Sequence, residues 1–458
     1  MTGNAPVITL IREFCGAVGG DAKNLAGVEI VGEGSLRSVF AVTDLATAAI
    51  GTAGVAVAEL VASQTGERPP VRVDRRLSSM WFAGSLRPAG WNVPPPWDPV
   101  AGDYRAQDGW IRLHTNAPHH RDIALKVLDV PGERESVARA VSRWDAGALE
   151  SAIVERGGCA AAMRSATEWA AHDQGRAVAA EPLVHRAATD RGAAPAWAVA
   201  PARPLRGVRV LDLTRVLAGP VATRFLAAFG ADVLRIDPPW WDEPGVVPEV
   251  TLGKRCARLD LHDGSARAVF ERLLGDADVL LHGYRPGALA RLGFDADRRR
   301  QIRPGLVDVS LDAYGWTGPW RHRRGFDSLV QMSSGIAQAG MERMDRDRPT
   351  PLPVQALDHA AGYLLATAAI RGLTTRLATR EGSQARTSLA RIAALLIGLP
   401  VDPQAPGLRP EQPDDQADTI EPTSWGPARR LKAPLVVQGT PMRWDASAGP
   451  LGASPATW

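Results

Sequence analysis

One stretch of the chain, residues 207–237, constrains the fold more than any other; its sequence is GVRVLDLTRVLAGPVATRFLAAFGADVLRID. It contains an apolar strand pattern, a turn at Ala218-Gly219-Pro220, a helical period and a second apolar strand. Two parallel strands need such a crossover, which is nearly always right-handed. The stretch therefore predicts an α/β fold with an open, doubly wound parallel sheet. Ligand space is expected at the carboxyl ends of its strands, first of all in the loop 215–220.

The composition is that of a soluble globular protein, because 45% of the 458 residues are hydrophobic and 22% are charged. The longest uncharged runs, 45–58 and 328–341, are shorter than the roughly 20 residues that a membrane-spanning helix needs. No signal-peptide pattern is found at the N-terminus. The three cysteines are odd in number and far apart, which argues against disulfides and a metal site. We therefore expect no membrane partner and a cytoplasmic location.

The charges nearly balance, with 53 basic and 50 acidic residues and a net charge of +3. Such a balance gives no reason to expect nucleic acid as a partner. Local clusters of basic residues still suit a phosphorylated small molecule.

Changes in pattern along the chain predict six segments: an unassigned lead-in (1–42), a partial large-domain segment (43–99), a small α/β domain (100–185), a linker (186–203), a large Rossmann-like domain (204–400) and a Pro-rich tail returning to the core (401–458). There is also an internal echo. Asp44 opens an Ala-rich helix that is followed by a turn and a strand, and Asp358 does the same within 357–397.

Four pieces of the large segment carry a family resemblance: PLRGVRVLDLTRVLAGP (204–220), GADVLRID (230–237), KRCARLDL (254–261) and RPGALARLGF (285–294). With them the chain resembles the family III CoA-transferases, the CaiB/BaiF-type superfamily that includes formyl-CoA transferase, carnitine CoA-transferase and α-methylacyl-CoA racemase. The resemblance covers about 204–397, and DGWIRLH resembles the family's small domain. It implies an acyl-CoA thioester as substrate with no permanently bound cofactor or metal, a carboxylic acid acceptor, and an interlocked homodimer.

The resemblance assigns the catalytic carboxylate to Asp358, which stands at the start of a predicted helix. A carboxylate can attack the acyl-CoA carbonyl to form a mixed anhydride, and the released thiolate can then form an aspartyl-CoA thioester. Exposed helix N–H groups would stabilise the anions involved. The alternative is that Asp358 is only an N-cap, a common role for aspartate.

Further residues fall at or near positions that hold CoA in the family: Arg215, Ala218, Lys254, Tyr284, Ala288 and Arg291. Cations and loop amides suit its phosphates, although an isolated Arg or Lys is often only a solvated surface residue. Tyr284 could stack on adenine or belong to the core. Asp327 and Leu217 are possible acyl-site residues, and Asp327 could equally be a turn residue.

Several departures from the family pattern bear on the substrate. Leu217 replaces the functional glutamine of formyl-CoA transferase, which argues against an oxalate- or formate-like substrate. Phe326 replaces the histidine of the racemases, and His359 lies about 100° from Asp358 on a helix and cannot replace it. The order is also rearranged, because the chain resembles the back half of one copy joined to the front half of another.

These features favour a CoA-transferase that acts through Asp358. A family III isomerase or racemase and a non-catalytic CoA-binding subunit remain as alternatives. A nicotinamide dehydrogenase is disfavoured, because the opening turn lacks GxGxxG.

Overall fold

The computed structural model describes residues 4–21, 25 and 27–458. Its helices are α1 Ala5–Ala17, α2 Val42–Thr65, α3 Arg75–Trp81, α4 Pro118–Leu128, α5 Arg134–Val141, α6 Ala146–Glu155, α7 Ala166–Ala171, α8 Asp173–Ala180, α9 Ala218–Ala228, α10 Val247–Val250, α11 Gly264–Asp276, α12 Ala288–Arg291, α13 Ala296–Ile302, α14 Asp327–Ser333, α15 Ile336–Arg343, α16 Ala356–Thr379 and α17 Leu389–Ile397. Its strands are β1 Val28–Val31, β2 Val71–Asp74, β3 Leu86–Pro88, β4 Gly102–Arg105, β5 Trp110–Leu113, β6 Ala160–Ala162, β7 His185–Arg191, β8 Arg209–Leu213, β9 Asp232–Asp237, β10 Lys254–Arg258, β11 Val279–His282, β12 Val307–Asp312, β13 Glu381–Ser388, β14 Gln416–Thr423, β15 Gly426–Leu431 and β16 Leu435–Val437.

The main sheet has seven strands in the order β10-β9-β8-β11-β12-β13-β7. The first six run parallel, and β7 lies antiparallel to β13 at the edge. The chain winds outward from β8 in both directions, through β9 to β10 and through β11 to β13, so the strand order reverses between β8 and β11. The doubly wound parallel sheet that residues 207–237 predict is confirmed.

Alternate residues of the central strands enter two different cores. Val210 and Val279 belong to the core that contains α9 and α16, whereas Leu211 and Leu280 pack with Phe270 of α11. Successive side chains of a strand point to opposite faces, so both faces of the sheet are covered. This is why β8 and β11 are apolar nearly throughout, as strands of a buried parallel sheet usually are.

A small domain precedes the main sheet in sequence. Strands β4, β5 and β6 form an antiparallel sheet, and helices α4, α5 and α6 cover it. Ile111, Val137, Leu149 and Ile153 form the centre of its core and are fully buried. The domain therefore has a hydrophobic core of its own.

Helices α2 and α16 have 24 residues each and pack against each other in the middle of the protein. Helix α2 is long and apolar enough to span a membrane, but 89% of its most apolar window is buried within the protein. Its composition, rich in Ala, Gly and Thr, lets α16 approach on one side and α1 on another. The long apolar run is thus accounted for as a core helix.

The internal echo corresponds to two units with the same order of elements. The first is β1, α2, β2 and α3; the second is β12, α16, β13 and α17, with α14 and α15 inserted before α16. In each unit the two strands are parallel. Strand β7, which follows the small domain, adds antiparallel to β13, and β16 from the tail adds antiparallel to β2. The two halves of the chain are therefore joined by edge strands.

The observed elements give structure to three of the expected segments. The segment 186–203, expected to be a linker, begins within β7; this edge strand is largely exposed, so its composition resembles that of a linker. The unassigned lead-in contains α1, in which Val7, Leu10, Ile11 and Phe14 have helical spacing and are buried. The tail 401–458 contributes β14 and β15, which pair with β3, as well as β16.

Candidate active site

A cleft of about 660 Å³ opens at the carboxyl ends of β8, β11 and β12. Leu213 at the end of β8, Tyr284 after β11 and Asp312 at the end of β12 line it. The cleft lies beside the reversal of strand order between β8 and β11, where open α/β sheets bind their ligands. This is the position that the βαβ stretch predicts.

The loop after β8 is strained. Val216 has a φ of 64°, an uncommon backbone conformation for a β-branched residue. Its N–H donates a 2.9 Å hydrogen bond to Oε2 of Glu243, and Glu243 in turn pairs with the fully buried Arg235 at 2.5 Å. The strained turn brings Arg215 to the cleft wall and leaves Ala218 as the first residue of α9.

The first turn of α9 lies close to α16. A Cβ atom on Gly362 of α16 would stand 2.4 Å from the carbonyl oxygen of Ala218, so only glycine permits this approach. Asp358 lies about one turn earlier on α16, and both it and Ala218 line the cleft. The close contact of the two helices therefore places a carboxyl group beside a helix N-terminus, where N–H groups are unpaired.

Asp358 is not the N-cap of its helix. The N-cap of α16 is Gln355, and Asp358 follows three residues later in the first turn, 8% exposed. Outside the helix itself, the backbone N–H of Asp358 donates a hydrogen bond to Asp327. Burial, and then the neighbouring Asp327 carboxylate, raise the pKa of Asp358 well above its usual range. The side chain is thus a desolvated carboxyl group that faces the cleft.

Asp327 lies under Asp358 and is 1% exposed. Its Oδ2 accepts the N–H groups of Leu357 and Asp358 at 2.9 and 3.0 Å, and its Oδ1 accepts from the side chain of Gln331. Burial raises the pKa of Asp327, and these hydrogen bonds oppose that rise. Because no comparable donor to the Asp358 carboxyl is found within residues 4–21, 25 and 27–458, we expect the first proton taken up by the pair to bind to Asp358. Asp327 holds the first turn of α16, and its expected role near the acyl group stays a prediction.

Five of the six residues expected at CoA line the cleft, namely Arg215, Ala218, Tyr284, Ala288 and Arg291. The guanidinium of Arg215 lies between two rings, 4.8 Å from the centroid of Trp241 and 5.4 Å from that of Tyr284. It also donates a 3.2 Å hydrogen bond to the Tyr284 hydroxyl. These contacts hold one cation at the wall of the cleft.

Lys254 is the sixth, and it is not among the described residues that line the cleft. Its side chain is fully buried, and Nζ donates to Oδ2 of Asp212 at 3.1 Å and to the carbonyl of Pro220 at 2.9 Å. Burial lowers the pKa of Lys254, and Asp212 opposes that effect. The amine is therefore committed to an internal ion pair. Leu217 is the N-cap of α9, and it packs against the main core and is not among the described residues that line the cleft.

Several cleft residues were not expected from the sequence: Arg285, Arg323, Arg324, His119, His120, Trp240 and Trp241. Arg285 follows Tyr284 and begins the motif RPGALARLGF, so its position after β11 could have indicated that it lies at the cleft. The two histidines begin α4 of the small domain, and no local pattern connects them to the main sheet. Burial, and then the adjacent His119, lower the pKa of His120 to about 3, which leaves a neutral imidazole on the cleft wall.

Asp44 lies in the first turn of α2, at the position that Asp358 has in α16. Its Oδ1 pairs with Nη1 of Arg75 at 2.5 Å. It is not among the described residues lining the 660 Å³ cleft. The two aspartates therefore have different surroundings despite equivalent helix positions.

The fold and the cleft define a doubly wound α/β protein with arginines along a ligand cleft and a buried carboxyl group on its wall. Residues 205–425 match the family model of CoA-transferase family III. This match confirms the resemblance to that family which the motifs indicate.

Curated relatives carry corresponding names. The chain is 30% identical over 308 residues to "Acetyl-coenzyme A transferase nodX" of Hypoxylon pulicicidum, covering 62% of this chain and 52% of that protein. It is 35% identical over 190 residues to "Probable fatty acyl-CoA transferase Rv3272" of Mycobacterium tuberculosis, covering 38% and 48%. It is 34% identical over 194 residues to the mouse "Succinyl-CoA:glutarate CoA-transferase", covering 39% and 44%.

A solved structure of Rv3272 from Mycobacterium tuberculosis is also similar, at 32% identity and a TM-score of 0.39, covering 43% of this chain and 56% of that one. The chain spans about half the length of the curated relatives it matches.

Proposed function

We propose that the protein is an acyl-CoA:carboxylate CoA-transferase with Asp358 as its nucleophile. The observation that carries this proposal is the placement of Asp358. It is a desolvated carboxyl group on the wall of a cleft that arginines line, in the first turn of a helix that another residue caps. An aspartate that served only as a cap would be expected at position 355, the N-cap, where this chain has a glutamine. The family of residues 205–425 supports the same chemistry.

The reaction runs in four steps that return Asp358 to its starting state. Its carboxylate oxygen attacks the thioester carbonyl, the C–S bond breaks, and CoA thiolate leaves behind an aspartyl-acyl anhydride. The thiolate attacks the aspartyl carbonyl and displaces the donor acid, giving an aspartyl-CoA thioester. The acceptor carboxylate then attacks this thioester and releases the thiolate again. Finally, the thiolate attacks the acceptor's carbonyl, forming the new acyl-CoA and freeing Asp358.

The surroundings of Asp358 support these steps in two ways. Its raised pKa reflects a carboxylate with little solvation, which is a stronger nucleophile once ionised. The first turn of α9 also lies at the cleft, and its N–H groups, those of Ala218 and Gly219, can stabilise the oxyanions of the four steps. Arg215, Arg285 and Arg291 suit the phosphates of CoA.

Trapping the covalent intermediate tests the proposal. The protein is incubated with a panel of acyl-CoAs that includes acetyl-CoA and succinyl-CoA, quenched with hydroxylamine or borohydride, and mapped by peptide mass spectrometry. We expect modification at Asp358 and none in Asp358→Asn. Asp44→Asn is the matched control, because Asp44 has the same position on the paired helix and should leave trapping unchanged. Full transferase activity in Asp358→Asn would refute the nucleophile, and CoA binding without any adduct would favour a non-catalytic CoA-binding subunit.

One observation supports a second candidate, an acyl-CoA isomerase or racemase of the same family. His120 is neutral because burial lowers its pKa to about 3, and its ring lies 6.0 Å from that of Phe326, which lines the cleft with Asp358. An unprotonated imidazole can take the proton α to the thioester, but a pKa of about 3 makes His120 a weak base, so we rank this candidate below CoA transfer. Exchange of that proton in D₂O, lost in His120→Asn and retained without an acceptor acid, would favour this candidate over CoA transfer.

The assembly and the location of the protein remain proposals. We infer a homodimer from the family resemblance, and light scattering of the purified chain would test it. We also infer a reducing cytoplasmic location, with which the three buried free cysteines agree. Imaging of the tagged full-length protein would test the location.

A further inference from the structure

Trp240 stands out among the aromatic side chains, because it is 63% exposed and still lines the cleft. Burying an aromatic ring is favourable, so a tryptophan this exposed on a structured loop lacks the partner that usually covers it. The contact between rings that involves it is with His262, 6.1 Å away and tilted by 38°. One face of the indole is therefore free for a planar ligand.

The loop that carries Trp240 is held in place. The guanidinium of Arg258 donates to the carbonyls of Pro238, Pro239 and Trp241 at 3.0, 2.8 and 2.8 Å. The indole N–H of Trp241 donates to Glu243 at 3.0 Å. Trp241 is thus fixed inward while Trp240 points outward from the same turn. A preorganised ring binds a ligand without first losing loop entropy.

The other aromatic side chain considered for this role is already occupied. Tyr284 has the Arg215 guanidinium 5.4 Å from its ring centroid, and its hydroxyl accepts a hydrogen bond from the same arginine. A base that stacked on that face would have to displace the cation. Within the described part of the chain, no guanidinium lies over the ring of Trp240, whose ring contact is with His262.

The exposed fractions of two cleft side chains indicate which way CoA would lie in the cleft. Asp358 is 8% exposed and Trp240 is 63% exposed, so they mark the inner and the outer end. If the thioester lies at Asp358, the adenine at the other end of CoA lies at the mouth of the cleft. The arginines between these two ends can then bind the phosphates. We propose that Trp240 is the stacking platform for the purine base of CoA. This inference rests on the proposed function only in taking CoA as the ligand.

The test is calorimetric titration of wild type, Trp240→Ala and Trp240→Phe with three ligands: CoA, adenosine 3′,5′-bisphosphate and 4′-phosphopantetheine. Stacking of a base on an aromatic ring, at the low end for an exposed ring, predicts about 5- to 10-fold weaker binding of the first two ligands to Trp240→Ala. Trp240→Phe should lose less, and 4′-phosphopantetheine should bind unchanged. Trp97→Ala is the control, since Trp97 is the other exposed tryptophan, at 37%, and lines a different cavity.

Equal affinity of Trp240→Ala and wild type for both adenine ligands would overturn this inference and leave the proposed function standing. The same fold loss for 4′-phosphopantetheine would also overturn it, because the effect would then not involve the base. Wild-type protein that bound neither CoA nor the bisphosphate would overturn the proposed function as well.

Discussion

Lys254→Met tests whether this lysine binds CoA, as its motif implies, or stabilises the core, as its contacts indicate. Methionine keeps the length of the side chain and removes the charge. In the wild type, Nζ lies 3.1 Å from Oδ2 of Asp212, and both side chains are fully buried. Asp212 also accepts hydrogen bonds from Thr214 and Thr223, which would remain in the variant.

The expected loss of stability follows from these contacts. Removing one partner of a buried ion pair costs about 3–5 kcal/mol, because the other charge stays buried without its counter-ion. The remaining threonine donors stabilise the Asp212 carboxylate, so we expect a value near the lower end, about 3 kcal/mol. If the large domain unfolds as one unit, this corresponds to a fall in Tm of about 6–12 °C. CoA affinity, measured well below the transition, should not change.

Urea unfolding and CoA titration together decide between the two roles. Arg255→Met is the matched control, because it removes a cation from the next residue of β10. Its partner Asp232 is 43% exposed and Arg255 is 33% exposed, so that pair should contribute only about 0–1 kcal/mol. A Lys254→Met protein with wild-type stability and clearly weaker CoA binding would refute our account and return Lys254 to the binding site.

Three further predictions concern the aspartates. Asp358→Asn should be more stable than wild type at pH 7, and the difference should vanish towards pH 4. Folding raises the pKa of the Asp358 carboxyl group, so the wild-type protein loses stability as the pH rises above the pKa of this group in the unfolded chain. Urea unfolding at several pH values measures this, and a difference that did not change with pH would contradict it. Asp327→Asn should lower kcat about 10-fold or more, because the first turn of α16 would be misplaced. It should also shift the acid limb of the pH–rate profile to lower pH, because Asp358 loses a negatively charged neighbour. An acid limb at the wild-type pH would contradict this coupling. Asp44→Asn should keep full turnover, since Asp44 is paired with Arg75 away from the cleft; a large loss of kcat would show that the first unit takes part in catalysis.

The sequence alone predicted those cleft residues that directly follow a strand of the sheet. Residues that come directly after parallel strands meet at one edge of the sheet, so the motifs with Arg215, Tyr284 and Ala288 converge on one cleft. The helix position of Asp358 was also recognisable, although whether it or Gln355 was the cap depended on the observed start of α16.

Other parts depended on information that local patterns do not contain. Lys254 begins β10, and whether its side chain points into the sheet or to the cleft is set by the register with β9. His120 reaches the cleft only because the small domain, far away in sequence, lies against the main sheet. Trp240 was missed because exposure is a property of the folded surface, and nothing in the letters WW distinguishes the inward ring from the outward one.

The two units of the chain show why the same helix design yields one candidate site. In the second unit, residues 313–355 lie between β12 and α16 and supply α14 with Asp327, which fixes the first turn under Asp358. In the first unit, only residues 32–41 connect β1 to α2, and β1 is the edge of its three-stranded sheet. No parallel strands extend that sheet, within the described residues, to form a cleft at its carboxyl ends. Asp44 instead pairs with Arg75, whereas no cation in the described ranges pairs with Asp358. The paired halves therefore share packing, and the proposed chemistry belongs to the half that has the complete sheet.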